Sequence, residues 1–119
     1  MHEFSIAESI MKFLQEEIGK MDPRPAKVLT VKVIIGDMHQ IVLESLQMAW
    51  EALCIDTHVF YKSSLIVKTE PIILKCNKCC TEDVKNGYLF ICNKCGSRDV
   101  EITGGREFYI EDIRVESDG

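Results

Sequence analysis

The chain has 119 residues, 46% of them hydrophobic and 28% charged, with a formal net charge of −5. That length accommodates one ordinary domain, or one small domain carrying a smaller metal-stapled one. No apolar run reaches the roughly 18 residues of a membrane span, and no basic segment followed by an apolar one stands at the start, so neither a transmembrane helix nor a signal peptide is expected and the chain reads as cytoplasmic.

Met1-His2-Glu3-Phe4 precedes Ser5-Ile6-Ala7-Glu8, which has the form of a capping box with Ser5 as N-cap. The pattern predicts a helix starting at Ser5, with Ile6, Ile10, Phe13, Leu14 and Ile18 on its apolar stripe, Lys12, Gln15 and Glu16 on its wet side, and its end at Gly19 before Asp22-Pro23-Arg24-Pro25. Between Ala26 and Gly36 the period changes to two, and a β-branched strand is expected with Leu29, Val31, Val33 and Ile35 on its buried face. A turn from Gly36 to Gln40 leads to a second amphipathic helix marked by Val42, Leu46, Ala49, Trp50 and Leu53, with Trp50 as a core residue. His58 to Ser64 is poorly periodic and reads as a connection. Leu65, Val67 and Thr69 predict a second strand, Val100 to Thr103 a short pairing segment, and Phe108, Ile110, Ile113 and Val115 a last strand. Breaks at Pro71 and Gly104-Gly105 bracket an insertion, so residues 73–105 are expected as one domain and residues 1–72 with 106–119 as the other.

The insertion contains Cys76-Asn-Lys-Cys79, a spacer of twelve residues, and Cys92-Asn-Lys-Cys95-Gly96. Each Cys-x-x-Cys turn aims two sulfurs at one point, and two such turns supply the four thiolates of a closed tetrahedral Zn²⁺ site, here Cys76, Cys79, Cys92 and Cys95. Disulfides are the competing reading, disfavoured by a reducing compartment. Cys80 falls outside the symmetric spacing and reads as a bystander. A closed four-thiolate zinc leaves no position for a reacting water, and no glycine loop for nucleotides or nucleophile with its base is present, so the chain does not read as an enzyme.

Zinc ribbons are widely used to bind nucleic acid, which makes such a module of a transcription or translation factor the alternative function. Charge opposes it: residues 73–105 carry +1 and the remainder −6, and phosphate contacts need clustered Lys and Arg. His2 offers an imidazole next to successive backbone nitrogens, a set suited to the square-planar preference of Ni²⁺ or Cu²⁺. By itself a histidine at this position does not distinguish a metal ligand from an ordinary terminal residue.

Met1-His2-Glu3-Phe4-Ser5-Ile6-Ala7 followed by an amphipathic helix, the strand ending in Ile35-Gly36, the doubled Cys-x-x-Cys and the closing run from Gly105 to Glu116 together resemble the HypA family of hydrogenase-maturation nickel metallochaperones, over nearly the whole chain. The resemblance implies an α+β fold, a small three-stranded, mainly antiparallel sheet with two helices plus an inserted four-cysteine zinc ribbon, which agrees with the element order above. It further implies transported Ni²⁺ bound by the His2 imidazole with the backbone nitrogens of His2 and Glu3, structural Zn²⁺ on the four cysteines, and delivery to the [NiFe] hydrogenase large subunit with the GTPase HypB, some members also serving urease. Such a chain would be a monomer or homodimer without nucleic-acid or membrane partners. Some relatives complete the nickel site with an acidic residue early in the second helix, where this chain has Val42; Asp37, His39 and Glu44 are the nearby substitutes, and the fourth ligand stays open.

Overall fold

The computed structural model describes residues 2–117. Helix α1 spans His2–Gly19, strand β1 Lys27–Gly36, helix α2 Leu43–Ile55, and strands β2 to β6 span Ser64–Glu70, Ile73–Cys76, Glu82–Val84, Val100–Gly104 and Phe108–Glu116. Short 3-10 turns at Asp37–His39 and His58–Phe60 lie before and after α2. The strands form two three-stranded sheets, in the orders β2-β1-β6 and β4-β3-β5. In the first, Ala26 donates to Glu116 and Gly36 to Glu107, so the partners run in opposite directions. In the second, β3 pairs antiparallel with β4 (Leu74 opposite Asp83) and with β5 (Leu74 opposite Ile102). The α+β architecture with two helices is that expected from the sequence.

By its packing the chain forms two compact units: one combines Ile41–Val67 with the chain before Ile34 and after Tyr109, the other combines Ile34–Gln40 with Lys68–Tyr109.

The first unit owes its core to the periodicities. Ile6, Ala7, Ile10, Met11, Leu14 and Ile18 of α1 are buried, and so are Leu46, Ala49, Trp50 and Cys54 of α2. Trp50 is wholly enclosed; its indole N–H donates to the Ser63 carbonyl at 3.2 Å and its ring meets Phe60 edge-on at 6.0 Å. Phe60, in the stretch expected to be mere connection, is buried because the His58–Phe60 turn folds its ring inward.

Three expectations shift. Helix α1 begins at His2 rather than at a Ser5 cap: the Ser5 carbonyl accepts the Ser9 hydroxyl inside the helix, and the earlier turn is held by the Val42 amide, which donates to Glu3 Oε2 at 3.1 Å. Phe13 is 51% exposed while Ala7 and Met11 take its expected place, since a stripe at spacing three and four fits either flank. On β1, Val28 is buried and Leu29 exposed, so the alternation that runs inward at Val31 and Val33 slips by one residue at Leu29-Thr30, as at a β-bulge.

In the second unit the decisive contact is backbone on backbone. A Cβ added to Gly36 would lie 2.1 Å from the Gly105 carbonyl group, while Gly105 itself holds φ +104° and would drive a Cβ to 2.8 Å from the Ile72 backbone. Around this crossing Met38 donates to Gly105, and Gly105 donates to the Glu107 carboxylate at 2.8 Å. Gly36→Ala is therefore expected to lower stability by about 3 kcal/mol, because the obstruction is main chain and cannot swing aside; urea unfolding monitored by circular dichroism measures it.

Candidate metal centre

The second unit brings together the sulfurs of Cys76, Cys79, Cys92 and Cys95, all within 4.8 Å of one another. Cys76 to Cys95 and Cys79 to Cys92 are each 3.6 Å apart. A tetrahedron with Zn–S bonds of about 2.3 Å has edges of about 3.8 Å, close to these two separations, so the four sulfurs are grouped as that ion requires. Cys76 and Cys92 are buried, Cys79 and Cys95 exposed.

The two knuckles are near copies. The Cys79 amide donates to Cys76 Sγ and the Cys95 and Lys94 amides to Cys92 Sγ, each at 3.4 Å. Cys80 donates to the Cys76 carbonyl and Gly96 to the Cys92 carbonyl; Cys76 donates to Thr81 and Cys92 to Ser97. Residues 80 and 96 both take the left-handed backbone conformation, at φ 63° and 76°. Cys80 is thus the positional twin of Gly96, and its thiol is not among the four gathered sulfurs. Cys80→Gly should stabilise the knuckle by about 1 kcal/mol, since glycine adopts this conformation without a Cβ clash, and should leave bound zinc unchanged, whereas Cys79→Ser should reduce it sharply; metal analysis after gel filtration separates the two variants.

Hydrogen bonds tune two of the thiols, Cys79 and Cys92, toward metal binding. The Thr81 hydroxyl, 3.3 Å away, followed by the Thr81 amide, holds Cys79 down to about 6. The Cys95 and Lys94 amides also lower Cys92. At Cys95 the Ser97 amide pulls downward but is outweighed by the adjacent Cys76 sulfur and by burial, leaving it up at about 11. N–H donors favour the thiolate, the form that ligates metal, and neighbouring sulfurs resist a second negative charge until a cation arrives.

Spacing alone does not single out the second residue of each knuckle, yet the structure gives it a role. Asn77 donates from its side chain to Asp99 Oδ1 at 3.0 Å and from its backbone to the Asp99 carbonyl, and Asn93 donates to the Val84 carbonyl at 2.9 Å. Each asparagine therefore ties its own knuckle to a segment outside it. The repeated Cys-Asn-Lys-Cys is the signal that could have found them.

Over residues 1–115 the chain matches the family described as "Hydrogenase/urease nickel incorporation, metallochaperone, hypA". It belongs to the HypA family. Among curated relatives, the hydrogenase maturation factor HypA of Solidesulfovibrio magneticus is 32% identical, covering 98% of this chain and all of its own, and that of Caldanaerobacter subterraneus is 34% identical with the same coverage. The solution structure of the Ni metallochaperone HypA from Helicobacter pylori superposes with a TM-score of 0.67 at 25% identity, covering 99% of this chain and all of that one.

In this HypA-family chain the predicted nickel residues occupy the first turn of α1. His2 is exposed and Glu3 half-buried. The Val42 amide holds the Glu3 carboxyl below the usual carboxylate range. Of the substitutes for the missing acidic ligand, His39 lies with Nε2 3.0 Å from the Arg106 carbonyl and its ring edge-on to Phe108, Asp37 heads the 3-10 turn, and Glu44 stands exposed in the first turn of α2. Among the described residues, the four cysteines are the one group of three or more possible ligands that converge. Met1, whose amine would neighbour that imidazole, lies outside the described residues. No described helix is long and apolar enough to cross a membrane.

Proposed function

We propose that this chain carries Ni²⁺ on its N-terminal turn and passes it, in the cytoplasm and with a HypB-like GTPase, to the large subunit of an [NiFe] hydrogenase, without catalysing a reaction itself. The observation that carries the reading is the placement of His2 and Glu3 in the first turn of α1. The first four amides of a helix have no intrahelical acceptor, so a metal that claims the nitrogens of His2 and Glu3, releasing their amide protons, takes no donor from a helical hydrogen bond, and the exposed imidazole adds a third nitrogen. The Glu3 carboxylate, occupied by Val42, acts in this reading as an anchor for the turn rather than as a ligand.

Zinc on Cys76, Cys79, Cys92 and Cys95 is a structural group that fastens the ribbon; bound there it supplies no open coordination position. Residues 73–105 form the zinc-ribbon domain in this reading, and residues 1–72 with 106–119 the nickel-carrying one.

Calorimetric titration of Ni²⁺ into zinc-loaded protein tests the proposal. One saturable site per chain that leaves the zinc content unchanged is the expected result. Nickel uptake seen only at the expense of zinc would place the metal on the cysteines and remove the carrier site from α1.

A further inference from the structure

Helix α2 is apolar on two opposite faces. Leu46, Ala49, Trp50 and Cys54 turn into the core, as an amphipathic helix requires. On the far side stand Met48, 66% exposed, Ile55, 67% exposed, and Ala52 between them. Their spacing of four and three residues makes a continuous ridge, the pattern by which one helix packs against another. The ridge is flanked by the exposed carboxylates of Glu44 and Glu51 and followed by that of Asp56. Between Leu43 and Ile55 the sequence contains no Lys, Arg or His.

We propose that this face of α2 is a docking surface for an amphipathic helix of another protein, one whose apolar ridge is bordered by Lys or Arg. The charge pattern selects the occupant. An apolar strip edged by carboxylates and lacking any cation of its own helix is satisfied by a partner supplying apolar contact at the centre and positive charge at the rim. A second copy of this chain fits badly, because an antiparallel two-fold contact on the same face would bring the acidic edges of the two helices together. The surface stands independently of nickel binding, and its test is made without nickel.

The experiment titrates the ¹⁵N-labelled, zinc-loaded full chain with two synthetic helical peptides that share a leucine ridge at the same four-and-three spacing, one bordered by Lys and the other by Glu. The Lys peptide is expected to shift the amides of α2 saturably and to bind at least about tenfold more tightly than the Glu peptide at low salt, with the difference shrinking as salt is added. Met48→Ser with Ile55→Ser should abolish binding of the Lys peptide. Both side chains are largely in water, so the fold should survive, and an unchanged spectrum elsewhere verifies this. Glu44→Lys with Glu51→Lys should reverse the preference between peptides. Absence of a saturable shift, shifts centred outside α2, equal affinity for the two peptides, or α2 shifts that arise on concentrating the protein alone would each overturn the assignment, the last in favour of self-association.

Discussion

Stripping the metal from the cysteine site with a chelator is expected to unfold residues 73–105 while α1, α2 and their core persist. The ribbon has little else to hold it: among its large apolar side chains Leu74 is buried, whereas Tyr88 is 98% and Leu89 64% exposed. Strands β3, β4 and β5 are four, three and five residues long, too short to stand without a packed face. Structural zinc contributes roughly 10–16 kcal/mol of apparent folding free energy in isolated zinc fingers, more than these strands supply by burial. Amide spectra before and after chelation measure the effect: collapse of dispersion confined to the ribbon is the expected pattern, and an ordered ribbon free of metal contradicts it. Restoring Zn²⁺ should restore the spectrum.

His2→Ala should abolish tight nickel binding at unchanged zinc content. His2 is exposed, so losing its ring opens no cavity, and stability should move by no more than about 0.5 kcal/mol. Because His2 and Glu3 are already helical, a chelate built on their backbone nitrogens must bend the first turn. Saturating nickel should therefore also reduce helical circular dichroism by about one turn's worth, an effect absent in His2→Ala. Equal nickel affinity in the two proteins would exclude the imidazole from the site.

The elements legible in the sequence are those whose apolar side chains repeat at one period for several turns or pleats. The interior of α1, the Leu46–Ala49–Trp50 face of α2, and β2, β5 and β6 emerge where the periods place them. The four cysteines are equally plain, because the geometry is encoded in two local turns. What escapes depends on partners remote in sequence. Glu3 extends α1 by meeting an amide thirty-nine residues away, and no local pattern announces it, whereas Ser5-Ile-Ala-Glu8 advertises a cap that the helix does not use. Phe60 is buried from an aperiodic stretch, and Asn77 and Asn93 work through Asp99 and Val84. Spacing alone sets Cys80 aside; its left-handed backbone supplies the physical reason, since that residue turns the chain away after the knuckle closes.

The Glu3 hydrogen bond to Val42 has a further consequence, because Val42 is the N-cap of α2 just as Glu3 belongs to the opening turn of α1. The two helices therefore begin side by side, and their positive dipole ends, each equivalent to about half a unit charge, meet at one place. A divalent cation held by His2 would rest against both poles, with the Glu3 carboxylate as the nearest offsetting charge. The repulsion would loosen the hold of such a ligand set on the ion, and it would disappear when the ion leaves. Cargo carried at such a place would be held against a standing electrostatic push.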